Sequence, residues 1–385
     1  MNEQHLVFTS ERPDGRFADV EGFVHAYLKQ LKPRLEFDAN MKPEHFAAWR
    51  MLVAEKMREL LRFPEDVPEQ PQPEMLWAEP RDGYELQKWE AYPEPYSVVP
   101  YLLLVPEGMD ADNPAPAVMC FPGGNSTKEL LAGEPELYDW VPENRHPARN
   151  RMAWYYAQAG MVAVAVDHPG NGEQSRHVFD DRYEYTTHAL WAGRNYEGIQ
   201  VFQKTPILQW LKERDYVDAS RIATSGHSFG TKPALHLALL DASIAAVVYN
   251  DFTCHWRERA VICSLFKYGI GMYTPGVQEW FDYLDVMAAI APRPFLMTEG
   301  GRTQHIETLR KAWELAGAPD KFQAHHYPKY DTPEKRVHDS EPLSEGMSVR
   351  KYLEYANVDV PDHCFKENLA VPWLSGVLGV SGDGD

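Results

Sequence analysis

The residues best placed to do chemistry are Gly226-His-Ser-Phe-Gly230, where a serine stands between two glycines. A serine hydroxyl attacks a carbonyl only when a base takes its proton, an acid orients that base, and donors receive the oxyanion that forms. The G-x-S-x-G spacing is that of a nucleophile elbow, a strained turn from strand to helix. The serine there is so crowded that its neighbours two positions away must lack bulk. The flanks suit such a turn: Arg221-Ile-Ala-Thr-Ser225 reads as a short strand and Thr231–Leu240 as a helix of small and apolar residues. The positive end of that helix would face the place where an oxyanion forms. Ser228 is the candidate nucleophile, and the Phe229 N–H is one candidate oxyanion donor. A second donor is expected at Gly124 or Asn125, where Phe121-Pro-Gly-Gly-Asn125 ends a buried strand and glycine lets the backbone approach a substrate oxygen. His227, beside the serine, reads as a pocket wall or hydrogen-bond partner.

These groups need a rigid frame, and the order of elements describes one. Residues 1–80 carry helical patterns. Val20, Phe23, Val24, Tyr27, Leu28 and Leu31 form one apolar stripe; Phe46, Trp49, Leu52, Val53, Met57, Leu60 and Leu61 form another. Each stripe must pack on something larger, and Pro64, Pro68, Pro71 and Pro73 stiffen the link that follows. From Tyr84 the period changes to two. Tyr84–Tyr92 and Val98–Val105 predict an antiparallel pair, and buried strands are expected near 115–121, 161–167, 221–225, 244–249, 294–298 and 322–327. Helical patterns intervene at 152–156, 196–212 (with a kink expected at Pro206) and 306–315. Strands alternating with helices predict a mostly parallel sheet covered on both faces. The division expected is a helical extension over 1–80 and an α/β catalytic domain over 81–385. The latter is interrupted by an aromatic-rich stretch at 251–285, a candidate lid, and by a polar one at 329–361. Insertions after late strands lie above the strand carboxyl ends, where α/β sheets bind their ligands.

Bulk composition narrows the partners. The net charge of −19, from 38 basic and 57 acidic side chains, argues against a nucleic-acid or anionic-membrane surface. The four cysteines (Cys120, Cys254, Cys263 and Cys364) show no C-x-x-C spacing, which suits a reducing compartment and gives no zinc signature. The first ten residues lack a basic stretch followed by an apolar run, and the chain has no run of 18 apolar residues, so a cytoplasmic setting is expected.

The course from Trp89 to Leu378 resembles the α/β-hydrolase superfamily, and within it the acetyl xylan esterase and dienelactone hydrolase-like branch. The matching stretches are 98–106, Phe121-Pro-Gly-Gly124, Val164-Ala-Val-Asp-His-Pro-Gly-Asn-Gly172, Gly226–Gly230, Ile290-Ala-Pro-Arg-Pro-Phe-Leu296, and His363-Cys-Phe with Ala370-Val-Pro-Trp-Leu374. The resemblance implies the order serine, acid, histidine. The family's usual Asp would fall at Thr303, which cannot serve. Glu299, at the end of its strand, is the nearest carboxylate, and Asp251, after the preceding strand, is the alternative. For the base, His325 and His326 lie within a strand, and His338 lies in the polar insertion. His363 stands before the amphipathic run 366–378, as the family's histidine stands before its last helix, and is preferred to His338.

The expectation is therefore a serine ester hydrolase with Ser228, His363 and Glu299 as its triad, acting on a small or acylated-carbohydrate ester. The 251–285 stretch, through Trp256 among others, would suit a sugar or aromatic acyl group. The reaction asks for no cofactor and no metal, and a homo-oligomer is compatible with the chain. Two rivals stand beside it: cleavage of a C–C or amide bond, or acyl transfer, by the same triad; and a non-catalytic binding protein, to which the displaced acid points. An 80-residue N-terminal segment is too short for the propeller of a prolyl-oligopeptidase-type peptidase, and a haloalkane dehalogenase would need Asp in place of Ser228.

Overall fold

The computed structural model describes residues 6–124, 126–138, 145–176, 182–265 and 269–380. Nine strands form one sheet in the order β1-β2-β3-β5-β4-β6-β7-β8-β9. They are β1 (Glu74–Arg81), β2 (Tyr84–Ala91), β3 (Val99–Pro106), β4 (Ala115–Phe121), β5 (Val162–Val166), β6 (Val217–His227), β7 (Ile244–Asn250), β8 (Phe295–Met297) and β9 (Phe322–Ala324). The first three run antiparallel, β3 meets β5 antiparallel, and every pairing from β5 through β9 is parallel. This is the mostly parallel α/β sheet expected from the alternation of elements. The sheet starts earlier than the sequence suggests, however: β1 lies almost wholly within the 1–80 stretch expected to be a helical extension, just past the proline-rich link, and the division at 80/81 falls inside it.

The central strands show why they read as continuous apolar runs. Every residue of β4 and β5 is buried, because helices cover both faces. The period of two then sorts side chains between two cores. Val162, Val164, Val166, Met119 and Phe121 enter one; Ala163, Ala165, Val118 and Cys120 enter the other, under the helices Met152–Gln158 and Glu367–Leu378. Burying residues of this kind contributes about 1.5–3 kcal/mol for each large side chain, so the sheet is a stiff platform for whatever its strand ends carry.

Helix Pro43–Leu61 seats Phe46, Trp49, Val53, Met57 and Leu61 in the first core, with Leu60 packed at its margin, while Leu52 of the same stripe is exposed. The earlier helix, Val20–Gln30, does not: Val20, Phe23 and Tyr27 are exposed. Its buried positions are Gly22, against which the Phe17 ring packs, and His25, which meets Glu345 at 3.1 Å. An amphipathic pattern marks a face but not its neighbour, and here a histidine and a glycine hold the inner side. The single kinked helix expected over 196–212 is two helices, Tyr196–Phe202 and Thr205–Lys212, because Pro206 opens the second rather than bending the first.

Candidate active site

Strand β6 runs into a 3-10 turn, Ser228–Gly230, and then into helix Thr231–Leu240. Ser228 has φ +51°, a left-handed conformation that a non-glycine residue adopts only under constraint. The flanking glycines show the constraint. A Cβ at Gly226 would lie 2.2 Å from the Gly230 carbonyl oxygen, and one at Gly230 would lie 2.2 Å from that of Phe121. Both contacts are with backbone, so no larger residue fits. The elbow read from the sequence is thus present in its strained form, at the carboxyl end of β6 and next to β4, whose end carries the glycine turn.

His363 follows a short 3-10 turn, Val360–Asp362, close before the last helix. Its Nδ1 lies 2.5 Å from Glu299 Oε2. A carboxylate only accepts, so Nδ1 carries a proton, and in the neutral ring Nε2 holds the free lone pair. Glu299 is wholly buried at the end of β8. Tyr327 donates to its Oε2 at 2.7 Å; the Cys364 N–H donates to Oε1 at 3.2 Å, and Lys366 Nζ lies 3.1 Å from the same oxygen. Burial lowers the affinity of His363 for a proton. The charge and hydrogen bond of Glu299, helped by Asp251, outweigh that and raise its pKa to about 9.

Asp251, the alternative acid, lies 4.0 Å from the same Nδ1. The register pairs Tyr249 of β7 with Met297 of β8, which sets Asp251 and Glu299 side by side, each two residues past a paired position. Burial pushes the Asp251 carboxyl up, His363 draws it back and Glu299 pushes it further; it ends at about 7. The structure thus brings both candidate acids to His363 and gives the hydrogen bond to Glu299.

The alternative base is elsewhere. His338 pairs with Glu341 at 3.0 Å, stacks on Tyr355 and lines a separate cavity with Lys329 and Tyr330. The polar insertion holds it by local contacts, apart from the cavities that Ser228 and His363 line. His325 continues the strand register, its N–H donating to the Met297 carbonyl.

Ser228 and His363 together line two cavities. One, of about 350 Å³, is lined by Phe229, Lys232, Trp256, Tyr283, Arg182 and Asp251 among others. The other, of about 560 Å³, is lined by Gly123, Arg145, His146, Asn150 and His227. Gly124 borders both, and Asn125 lies outside the described residues. Trp256 is therefore in the pocket wall and His227 in that of the second cavity. The His227 ring stands 4.7 Å from that of His363, and burial, then the charges of His363 and Lys366, hold it well below the usual imidazole range. The part of the 251–285 stretch that is described is tied to the nucleophile helix: Lys232 and Tyr283 both bond Glu197, Thr274 bonds it too, and the Lys232 ammonium lies 4.2 Å from the centre of the Trp256 ring.

His227, Glu299 and His363 also offer ligand atoms within 4.8 Å of one another. Both oxygens of Glu299 are already engaged, and the Lys366 ammonium beside them opposes a divalent cation. Tyr327 and Lys366 were not singled out in the sequence, although Tyr327 follows the His325-His326 pair and Lys366 stands three residues past His363.

A sequence model of the Abhydrolase family matches residues 1–376. A crystal structure from Bacteroides fragilis NCTC 9343, of a protein provisionally named an acetyl xylan esterase, superposes with a TM-score of 0.89 at 36% identity, covering 96% of this chain and 98% of that one. The glucuronoyl esterase of Solibacter usitatus shares the fold, with a TM-score of 0.51 at 14% identity over 75% of this chain and 87% of its own. The provisionally named hydrolase YtaP of Bacillus subtilis (strain 168) is 27% identical over 143 residues, 37% of this chain; the match spans 46% of YtaP, about half its length. The architecture is the α/β-hydrolase fold, close to the acetyl xylan esterase branch. Among the described residues no helix is long and apolar enough to cross a membrane.

Proposed function

The chain belongs to the Abhydrolase family, and on that premise we propose that it is a serine-dependent hydrolase of carboxylic esters, acting on an acylated carbohydrate or a similarly small ester. The observation that carries the reading is the 2.5 Å contact between His363 Nδ1 and buried Glu299, at a histidine that shares both its cavities with an elbow serine. With the Nδ1 proton committed to Glu299, Nε2 is the base. It takes the Ser228 proton as Oγ adds to the ester carbonyl, then returns it to the alcohol oxygen as the C–O bond breaks. Water enters by the same route and releases the acid. Backbone N–H groups at Phe229 and in the turn around Gly124 and Asn125 receive the oxyanion, an effect worth about 2.7–4 kcal/mol per donor in such sites.

Two cavities meeting at one serine suit an ester, which has an acyl and an alcohol arm. Aromatic and hydrogen-bonding walls suit a sugar, and the name of the Bacteroides fragilis relative supports a carbohydrate ester. The non-catalytic reading drew on the displaced acid, and the position of Glu299 against His363 weighs against it.

A fluorophosphonate probe should label the wild type and leave Ser228→Ala unlabelled. An unlabelled wild type would overturn the proposal. Turnover of p-nitrophenyl acetate against longer acyl esters then sizes the smaller cavity, with short chains preferred.

A further inference from the structure

The stretch Asp167–Gly172 leaves the end of β5 and passes directly behind the turn Phe121–Gly124, yet the reaction above gives it no part. His168 is wholly buried. Its Nε2 lies 2.6 Å from the Pro122 carbonyl oxygen and its Nδ1 lies 2.7 Å from Gln200 Nε2. A carbonyl only accepts and an amide NH2 only donates, so the ring must be neutral with its proton on Nε2. Burial, reinforced by the nearby Lys204 ammonium, keeps it so by holding the imidazole well below its ordinary range. The same ring packs on that of Phe229, with centroids 4.6 Å apart.

Three residues on, Asn171 Nδ2 donates to the carbonyl oxygens of Gly124 at 3.2 Å and Ser126 at 3.3 Å, while its Oδ1 accepts from Arg182. Asp167 completes the attachment by accepting the Lys128 N–H at 2.7 Å. The carbonyls of this turn are thus tied back to one loop. A peptide unit is planar, so the hold on the Pro122 carbonyl also sets the Gly123 N–H, at the entry to the turn that carries the candidate donor. A glycine-rich turn has little stiffness of its own, and donors stabilise an oxyanion only if already in place when charge develops.

We propose that His168 and Asn171 are positioning residues that hold the Phe121–Gly124 turn and Phe229 in one frame, so that donors from two separate strand ends converge on a single oxyanion. The inference rests on the serine-hydrolase reading. It assigns the loop a role in the transition state and none in substrate binding. A brace of this kind acts through alignment, and a misplacement of about 1 Å in such a site costs on the order of a hundredfold in rate.

The test uses the full chain and two substitutions. His168→Phe keeps a ring against Phe229 and removes the donor to Pro122; His168→Gln returns a donor near the position of Nε2. With p-nitrophenyl acetate, kcat for His168→Phe should fall by about tenfold to a hundredfold with KM within threefold of the wild type. The inhibition constant of an aryl trifluoromethyl ketone, whose serine adduct carries the oxyanion, should rise by the same factor as kcat/KM falls. His168→Gln should recover most of both. Loss of fold alone would not link rate to the affinity of this analogue. If His168→Phe fails to fold, Asn171→Ala decides, since Asn171 is partly exposed; its kcat must fall in parallel with ketone affinity. Wild-type kcat in the folded variant, or a rate loss without a matching loss of ketone affinity, overturns the inference while an active, labelled wild type leaves the hydrolase reading standing. A wild type that neither labels nor turns over overturns both.

Discussion

Replacing Glu299 by glutamine tests the charge at the centre of the site while keeping its shape. In the wild type His363 is raised from an ordinary value near 6.5 to about 9; its side chain is 27% exposed, and the difference between its protonation states corresponds to about 3 kcal/mol. At pH 7 only about 1% of such a residue is the free base. Glu299→Gln removes the main opposing charge, and burial then pulls the imidazole down. Asp251, 4.0 Å from the same nitrogen, retains part of the effect, so the acid limb of kcat/KM should move down by at least about one pH unit, or about 1.4 kcal/mol. Losing the orienting acid costs a serine hydrolase up to on the order of 10⁴ in kcat. That full loss should appear near pH 10, where wild-type His363 is mostly free base. At pH 7 the variant holds more free base than the wild type, so the apparent loss should be at least about tenfold smaller. A pH-stat record of acid released from glyceryl triacetate between pH 6 and 10 reads both quantities. Adding Asp251→Asn should lower the limb further. An unmoved limb, or an equal loss at pH 7 and pH 10, would refute the assignment of Glu299 as the group that charges and orients His363.

The same shift has a stability consequence. Because the folded-state pKa of His363 lies above its unfolded value, its contribution is complete below about pH 6.5 and is lost as pH rises through about 9. Urea unfolding should therefore show the stability gap between wild type and His363→Gln narrowing by up to about 3 kcal/mol from pH 6 to pH 10. At the other wall of the pocket, Lys232→Met leaves the buried Glu197 carboxylate without its ammonium partner, and should cost about 3–5 kcal/mol in the same assay. The pair Glu197→Gln with Lys232→Met should recover most of it.

How far the sequence reached follows the range of the forces involved. The elbow was legible because its cause is local: Gly226 and Gly230 are required by backbone atoms within a few residues and by the adjoining end of β4, and any such turn needs them. The buried strands were legible for a similar reason, since a strand covered on both faces must be apolar throughout. The outer face of helix Val20–Gln30 was misread, because periodicity cannot say which side finds a neighbour.

What only the tertiary structure decided was the company of His363. Asp251 and Glu299 are far apart in the chain and become neighbours through the pairing of β7 with β8; the longer glutamate then reaches Nδ1, and the aspartate stops at 4.0 Å. Tyr327 and Lys366 arrive from still other elements. By itself the sequence determined the fold class and the strained serine, which depend on local sterics and on the period of burial. The sequence could offer Glu299 and Asp251 as acids, but which of them meets His363, and with what supporting groups, depends on strand register and side-chain reach across the sheet, which no local pattern encodes.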